Sequence, residues 1–318
     1  MRALVVDSGT LSLRDEPQPI PAPGEVLIKV TLAGICSTDL EIARGYAAFK
    51  DILGHEFVGT VVAGPPTLAN KRVVGEINCV CGRCDMCTSG LSSHCRRRTV
   101  VGIQGRPGVF AEFVAIPERN CHIVPDTVTD SEAVFTEPLA AAYQILRQVK
   151  IDSKMNVAVL GTGRLGILVA QVLATSPGRL IAVGRNPRTL DLLDRKRIRT
   201  STVAEFAQWG EQDLIIECTG SPKGLPIAMR MVRPRGTILL KTTCVEPAAM
   251  DLTPIVVNEV TLLGSRCGPF SEALSALARK QIDVQSMITR QLPLSEGIAA
   301  FALAADPQHT KILLTCNA

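Results

Sequence analysis

Four cysteines, Cys81, Cys84, Cys87 and Cys95, fall in the single stretch CGRCDMCTSGLSSHC. A hydrophobic core has no need of them there, so disulfides, a zinc site, an iron–sulfur cluster and a reactive thiol are the candidate chemistries. Two CxxC steps and one more distant partner let a loop fold around a tetrahedral ion, and a closed set of four thiolates is a structural zinc site. A ferredoxin-type run also begins CxxCxxC, but its fourth cysteine comes sooner and is followed by Pro, where this chain has Arg96. Cys79 and His94 lie beside the loop as spare donors and are read as bystanders.

A second group is dispersed: Cys36 in GICSTD, His55 and Glu56 in GHEFVG, and Glu137 in FTEPLA. Taken one at a time, each has a plain explanation as a small buried thiol, a hydrogen-bonded core histidine or a helix-start carboxylate. Together they supply one thiolate, one imidazole and one or two carboxylates, the stock of a zinc site that keeps a position open for water or substrate. Sequence spacing does not show that they meet.

GTGRLG supplies Gly161, Gly163, Arg164, Leu165 and Gly166, preceded by the strand-like NVAVL and followed by a helical apolar run. In the dinucleotide fingerprint the first glycine makes the tight turn, the second lets the backbone approach the pyrophosphate, and the third allows helix and strand to pack closely at an anion-favouring helix N-terminus. The end of the next strand, where an NAD site carries Asp or Glu for the ribose, reads LIAVGRNPR. Gly184 and Arg185 offer no carboxylate to repel a 2′-phosphate, and Arg185 with Arg188 can pair with one, so NADP(H) is favoured over NAD(H). The alternative is an exposed arginine on a loop that still accepts NAD(H). Arg266, in TLLGSRCG, is a further candidate on the cofactor side.

The elements that must position these residues follow from length and pattern. At 318 residues the chain exceeds what one core usually supports, which predicts two domains. With 46% hydrophobic residues but one Trp and two Tyr, its core is built from Val, Ile, Leu and Ala. Up to about Asp126, short β-type runs such as EVLIKVTLAGI and FVGTVVAG alternate with Pro, Gly and Asn punctuation. Near Ser131 the texture changes: EAVFTEPLAAAYQILRQV has helical spacing, and the strands NVAVL, LIAVG, DLIIECTG and GTILLKT alternate with helical stretches. That alternation predicts an α/β fold with a doubly wound parallel sheet. In the tail, SEALSALARKQI reads as a helix and HTKILLTC as a strand returning to the first part.

A net charge of +4 is too mild to argue for nucleic acid, and the arginines at Arg96–Arg98 lack interleaved aromatics. The N-terminus lacks the pattern of a secretory signal and the longest apolar run is interrupted by glycines and Arg164, so a cytoplasmic protein that neither spans nor binds membrane is expected. Eleven cysteines in such a reducing compartment favour metal over disulfides.

GICSTDLEI, GHEFVG, the cysteine loop, GVFAEFVAIP, FTEPLAAA, VLGTGRLG, IIECTGSP and RPRGTILLK occur in the order seen in the zinc-dependent medium-chain alcohol dehydrogenases, and most resemble the sorbitol, threonine and glucose dehydrogenase branch. The resemblance covers nearly the whole chain. It implies a GroES-like catalytic domain at 1–130 carrying a structural zinc lobe, a Rossmann domain at 131–267, and a return to the catalytic domain at 268–318. It also implies two Zn2+ per chain. Cys36 and His55 match ligands of the catalytic zinc, Glu56 the neighbouring glutamate that holds the metal directly or through water, and Glu137 the acidic ligand of this branch. Thr38 matches the hydroxyl that hydrogen-bonds the substrate oxygen, and Asp39 the carboxylate that orients the histidine. Glu41 stands where many relatives carry the outer histidine of a proton relay, an altered relay also found in glucose dehydrogenase-like members. The implied reaction is hydride transfer between a small alcohol or polyol, or its carbonyl product, and a nicotinamide cofactor, in a homodimer or homotetramer; the alternative is a non-catalytic NAD(P)-binding relative. Whether Tyr46, Phe49 and Phe110 face the pocket is left open by the sequence.

Overall fold

A computed structural model describes residues 1–45, 48–206, 211–243 and 250–316. The chain divides into two compact units, Met1–Glu137 with Phe270–Ala318, and Pro138–Pro269.

The first unit is organised on the strand Glu25–Gly34. Its sequence EVLIKVTLAG is buried along nearly its whole length, which suits a strand covered on both faces rather than one alternating between core and water. It pairs antiparallel with Glu56–Ala63, with Phe113–Pro117 and with Lys311–Thr315. The last of these is the expected tail strand, so residues about 280 positions apart in sequence lie side by side: Gly34 faces Glu56 on one side and Leu313 on the other. Gly34 is there because nothing larger fits. A Cβ at that position would come within 2.8 Å of Glu56 Oε2 and of Lys311 Cε.

The second unit is a six-stranded parallel sheet in the order Thr200–Thr202, Arg179–Gly184, Asn156–Leu160, Gln212–Glu217, Val232–Leu240, Thr261–Gly264. Counted along the chain from Asn156–Leu160 this is the order 3-2-1-4-5-6 of the doubly wound fold, with its switch point beside the first strand. The helix Arg164–Leu173 is buried from Gly166 to Leu173. Its apolar side chains contribute about 1.5–3 kcal/mol each on full burial, which fixes the helix against the sheet and with it the glycine turn that starts it.

The helical run expected around Glu132 is two helices, Asp130–Ala133 and Thr136–Gln148. Pro138 explains the break. It has no N–H to continue a helix through Val134, but its missing donor costs nothing in the first turn of a new one. The first of the two is closed by a capping box in which Thr129 and Glu132 bond each other's backbone.

Candidate functional site

The cysteine loop closes on a point. The four sulfurs of Cys81, Cys84, Cys87 and Cys95 all lie within 4.8 Å of one another, with Cys84–Cys87 and Cys81–Cys95 at 3.5 Å and Cys84–Cys95 at 3.8 Å. Zn–S bonds of 2.3 Å make a tetrahedron with an edge of about 3.8 Å, so the spacing fits one zinc ion. It is far longer than a disulfide, and an iron–sulfur cube would hold the sulfurs farther apart. Backbone N–H groups of Cys81 and Arg97 point at Cys95 Sγ, at 3.3 and 3.4 Å. A bidentate Arg96–Asp85 pair at 2.6–2.7 Å staples the loop from outside, which uses Arg96 on the protein's own surface. His94 and Cys79 stand outside the group.

Backbone donors at Arg96 and Cys87 hold the Cys84 thiol down at about 6, whereas burial pushes Cys87 up to about 11. In metal-free protein Cys84 is therefore the thiol that ionises more readily and Cys87 the one that ionises less readily. Iodoacetamide labelling mapped by mass spectrometry is expected to modify Cys84 first among these four, with a rate that reaches half its maximum near pH 6. A half-maximum above pH 8 would show that the backbone donors at Arg96 and Cys87 do not hold the Cys84 thiol down.

The dispersed residues also meet. One donor atom each from Cys36, His55 and Glu56 lie within 4.8 Å of one another. Cys36 is the N-cap of the helix Ser37–Ala43, and its own backbone N–H donates to Asp39 Oδ2 at 2.8 Å. Asp39 is thereby fixed, wholly buried, with its other oxygen 3.0 Å from His55 Nδ1. That close charge contact turns Nδ1 towards the carboxylate and leaves Nε2 as the nitrogen for a ligand. Burial works to lower the His55 pKa, but the Asp39 charge, with Cys36 adding to it, outweighs burial and holds the imidazole well above its usual 6.5. A half-buried thiol with a buried imidazole and carboxylate, brought together with an anion behind the imidazole, fits Zn2+ in donor type and number. Thr38 Oγ1 is 3.8 Å from Cys36 Sγ, and Glu41 is held by Arg44 at 2.9 Å at the half-exposed end of the same helix.

Two further observations concern the carboxylates. Glu137, half-buried in the first turn of Thr136–Gln148, lies outside the 4.8 Å set formed by Cys36, His55 and Glu56. Glu56 instead has a partner that sequence reasoning missed: Lys311, itself 2% exposed, binds Glu56 Oε2, donates to Ile35 O at 3.3 Å, and lies 5.4 Å from the centre of the Phe135 ring. Among the aromatic candidates, Phe110 is a core residue, wholly buried and edge-on to Phe301 at 5.8 Å. Phe49 is half-buried, and Tyr46 lies outside the described residues.

In the second unit the three fingerprint glycines have distinct reasons. Gly161 has φ +104°, and a Cβ there would sit 2.7 Å from the Cys218 backbone; a Cβ on Gly166 would overlap the carbonyl of Gly161. Around Gly163 a Cβ would meet nothing within 4 Å. The first and third glycines serve packing, and the second leaves open space at the N-terminus of Arg164–Leu173, where a pyrophosphate can approach backbone. Leu165 lies in the first turn of that helix and, with Arg164, is half-buried. Arg185, Arg188 and Arg266 are exposed.

Residues 22–126 match the alcohol dehydrogenase GroES-like domain. The chain is 30% identical to the L-threonine 3-dehydrogenase of Streptomyces coelicolor over the full length of both, and 28% identical to a sorbitol dehydrogenase of Halalkalibacterium halodurans over 99% of each. Among solved structures, a Sinorhizobium meliloti zinc-binding dehydrogenase bound to NADP aligns with TM-score 0.89 and 27% identity, covering 99% of this chain and 98% of that one. An Escherichia coli alcohol dehydrogenase complexed with NADH aligns with TM-score 0.90 and 26% identity over 99% of each. With a full-length relative at this identity and the same two-part fold, the chain belongs to the zinc-dependent medium-chain alcohol dehydrogenase family.

Proposed function

We propose that the protein transfers a hydride between a small alcohol or polyol, or the corresponding carbonyl compound, and NADP(H), using one zinc ion held by the group at Cys36 and a second, structural zinc in the cysteine loop. The observation that carries this reading is the convergence of Cys36, His55 and Glu56, from separate parts of the chain, in front of a buried Asp39. Bound there, zinc supplies a Lewis acid for the substrate oxygen. Asp39 orients the imidazole, Thr38 accepts and passes on the hydroxyl proton, and Glu41, in place of the relay histidine, stands at the exposed end of that helix. The glycine turn orients the cofactor.

Metal analysis of the purified protein, with an absorption spectrum, is expected to give close to two zinc ions per chain and no visible band, with a screen of alcohols and polyols then finding NADP-dependent turnover. One zinc that is lost on replacing Cys81 or Cys84 would mean that the group at Cys36 holds none, and would overturn the catalytic assignment. Arg185→Ala is expected to weaken NADPH binding about tenfold or more while leaving NADH within about threefold, because a charge-assisted bond to phosphate is worth about 1.5–3 kcal/mol. Equal losses for both cofactors would remove Arg185 from that role.

A homodimer or homotetramer is supported by the edge of the parallel sheet. Thr261–Gly264 is its last strand, and Leu262 on it and Leu252, Val256 and Val257 just before it are 37–75% exposed. An open edge flanked by apolar side chains suits a second copy of the same chain. Among the described residues no helix is long and apolar enough to cross a membrane, and the cytoplasm is the compartment in which the thiols of both metal groups stay reduced.

A further inference from the structure

Gly184 ends the strand Arg179–Gly184, at the position where a dinucleotide site that reads NAD(H) carries Asp or Glu for the ribose 2′-hydroxyl. The structure gives a steric reason why this chain carries none. A Cβ on Gly184 would overlap Thr162 Oγ1, and would lie 2.9 Å from Thr162 Cγ2 and 3.1 Å from its Cβ. Both branches of the side chain lie within 3 Å of that point and its root at 3.1 Å, so Thr162 must turn both branches away and shift for a Cβ to fit, and a β-branched side chain has few rotations to try.

Thr162 is also tied in place. Its hydroxyl lies 2.8 Å from that of Thr189, and Thr189 Oγ1 donates to the carbonyl of Asn186 at 3.0 Å. A hydroxyl has one hydrogen, so Thr189 spends its own on Asn186 and Thr162 donates to Thr189. Both threonines are about 95% buried. Asn186 Oδ1 accepts from the backbone of Arg188 at 3.0 Å and caps the helix Pro187–Asp194. The turn from Gly184 to Arg188, which bears both arginines, is thus fastened to the middle of the fingerprint loop through one buried hydroxyl.

We infer that Thr162 is a specificity-determining residue: it fills the space a ribose-binding carboxylate would need at position 184, so this loop accepts the 2′-phosphate form of the cofactor and a charge change at 184 alone does not convert it. The inference rests on the NADP(H) reading above. Its chemistry is steric and local to the two strand ends, Leu160 and Val183 being register partners in adjacent strands.

The test compares Gly184→Asp, Thr162→Ala and the double variant, all as zinc-loaded protein. Dissociation constants for NADPH and NADH come from nicotinamide fluorescence, and thermal midpoints from calorimetry. Gly184→Asp alone is expected to lose NADPH tenfold or more, gain nothing for NADH, and melt lower than the parent. The double variant is expected to recover most of the midpoint and to bind NADH at least tenfold tighter than Gly184→Asp does. Gly184→Asp binding NADH as tightly as the double variant would overturn the inference. A parent that binds NADH more tightly than NADPH would sink the NADP(H) reading by itself. The crowding is then read from Gly184→Ala with and without Thr162→Ala, which adds no charge: recovery of the midpoint in the pair supports the inference, and strictly additive losses overturn it.

Discussion

His55→Ala is expected to lower kcat/KM for the best alcohol substrate at least a thousandfold, with NADPH binding kept within about threefold of the parent. The side chain is 3% exposed and supplies one of the three donors that meet at the site. Removing an imidazole from a three-donor site removes the ion with it. Lewis-acid stabilisation of an alkoxide is worth several kcal/mol, and each 1.36 kcal/mol is tenfold in rate. Cofactor binding survives because the fingerprint turn belongs to the other unit, Pro138–Pro269, with its own sheet and core. The measurement pairs steady-state kinetics with metal analysis. Zinc is expected to fall from about two ions per chain to about one, the remaining ion being that of the four cysteines. Turnover within tenfold of the parent, or a variant that keeps both ions, would remove His55 from the ligand set. Among the described residues Asp39 is left buried with the Cys36 N–H as its one hydrogen-bond partner in this variant, so a lower thermal midpoint is expected alongside, and kinetics are to be taken well below it.

What could be read from the sequence was whatever is local. The cysteine loop announces itself because its ligands are close in sequence and their spacing is the geometry. The glycine turn does so because backbone packing at Gly161 and Gly166 admits no other residue. The tail strand was legible from its apolar run, and it pairs with Glu25–Gly34. The meeting of Cys36 with His55 and Glu56 was suggested by residue type and by family resemblance, and their convergence is supplied only by the antiparallel pairing of the strands that carry Gly34 and Glu56. Lys311 was not legible at all. A single lysine at the start of KILLT reads as a strand end in water, and its partner Glu56 is 255 residues away. Whether Phe110 faces a cleft could not be read from the sequence, because only the fold shows that it packs on Phe301 in the core. The lack of a carboxylate at Gly184 could be seen in the sequence, but its cause, the side chain of Thr162, required coordinates.

Lys311→Met is the second substitution with a large expected effect, and it acts on stability before it acts on chemistry. The Glu56 carboxylate is 1% exposed and its ammonium partner 2%, with Gly34 holding the space for both. An ion pair so deep offers little net stability over an apolar pair of similar shape, because desolvation offsets most of the attraction. Removing one partner is different: it leaves the other charge buried and unpaired, at a cost of about 3–5 kcal/mol. At roughly 2–4 °C per kcal/mol for a large chain, metal-free Lys311→Met should melt on the order of 10 °C below the parent. Glu56→Gln added to Lys311→Met removes the stranded charge and should return at least half of that loss, which a merely spatial role for Lys311 would not produce. Zinc should also stabilise Lys311→Met more than it stabilises the parent, since the ion offers the Glu56 carboxylate a second cationic partner. Calorimetry of the four metal-free proteins of this cycle, with Glu56→Gln alone as the fourth, decides the matter. A Lys311→Met midpoint within about 2 °C of the parent, or equal losses in the single and double variants, would show that Lys311 does not hold Glu56 in place.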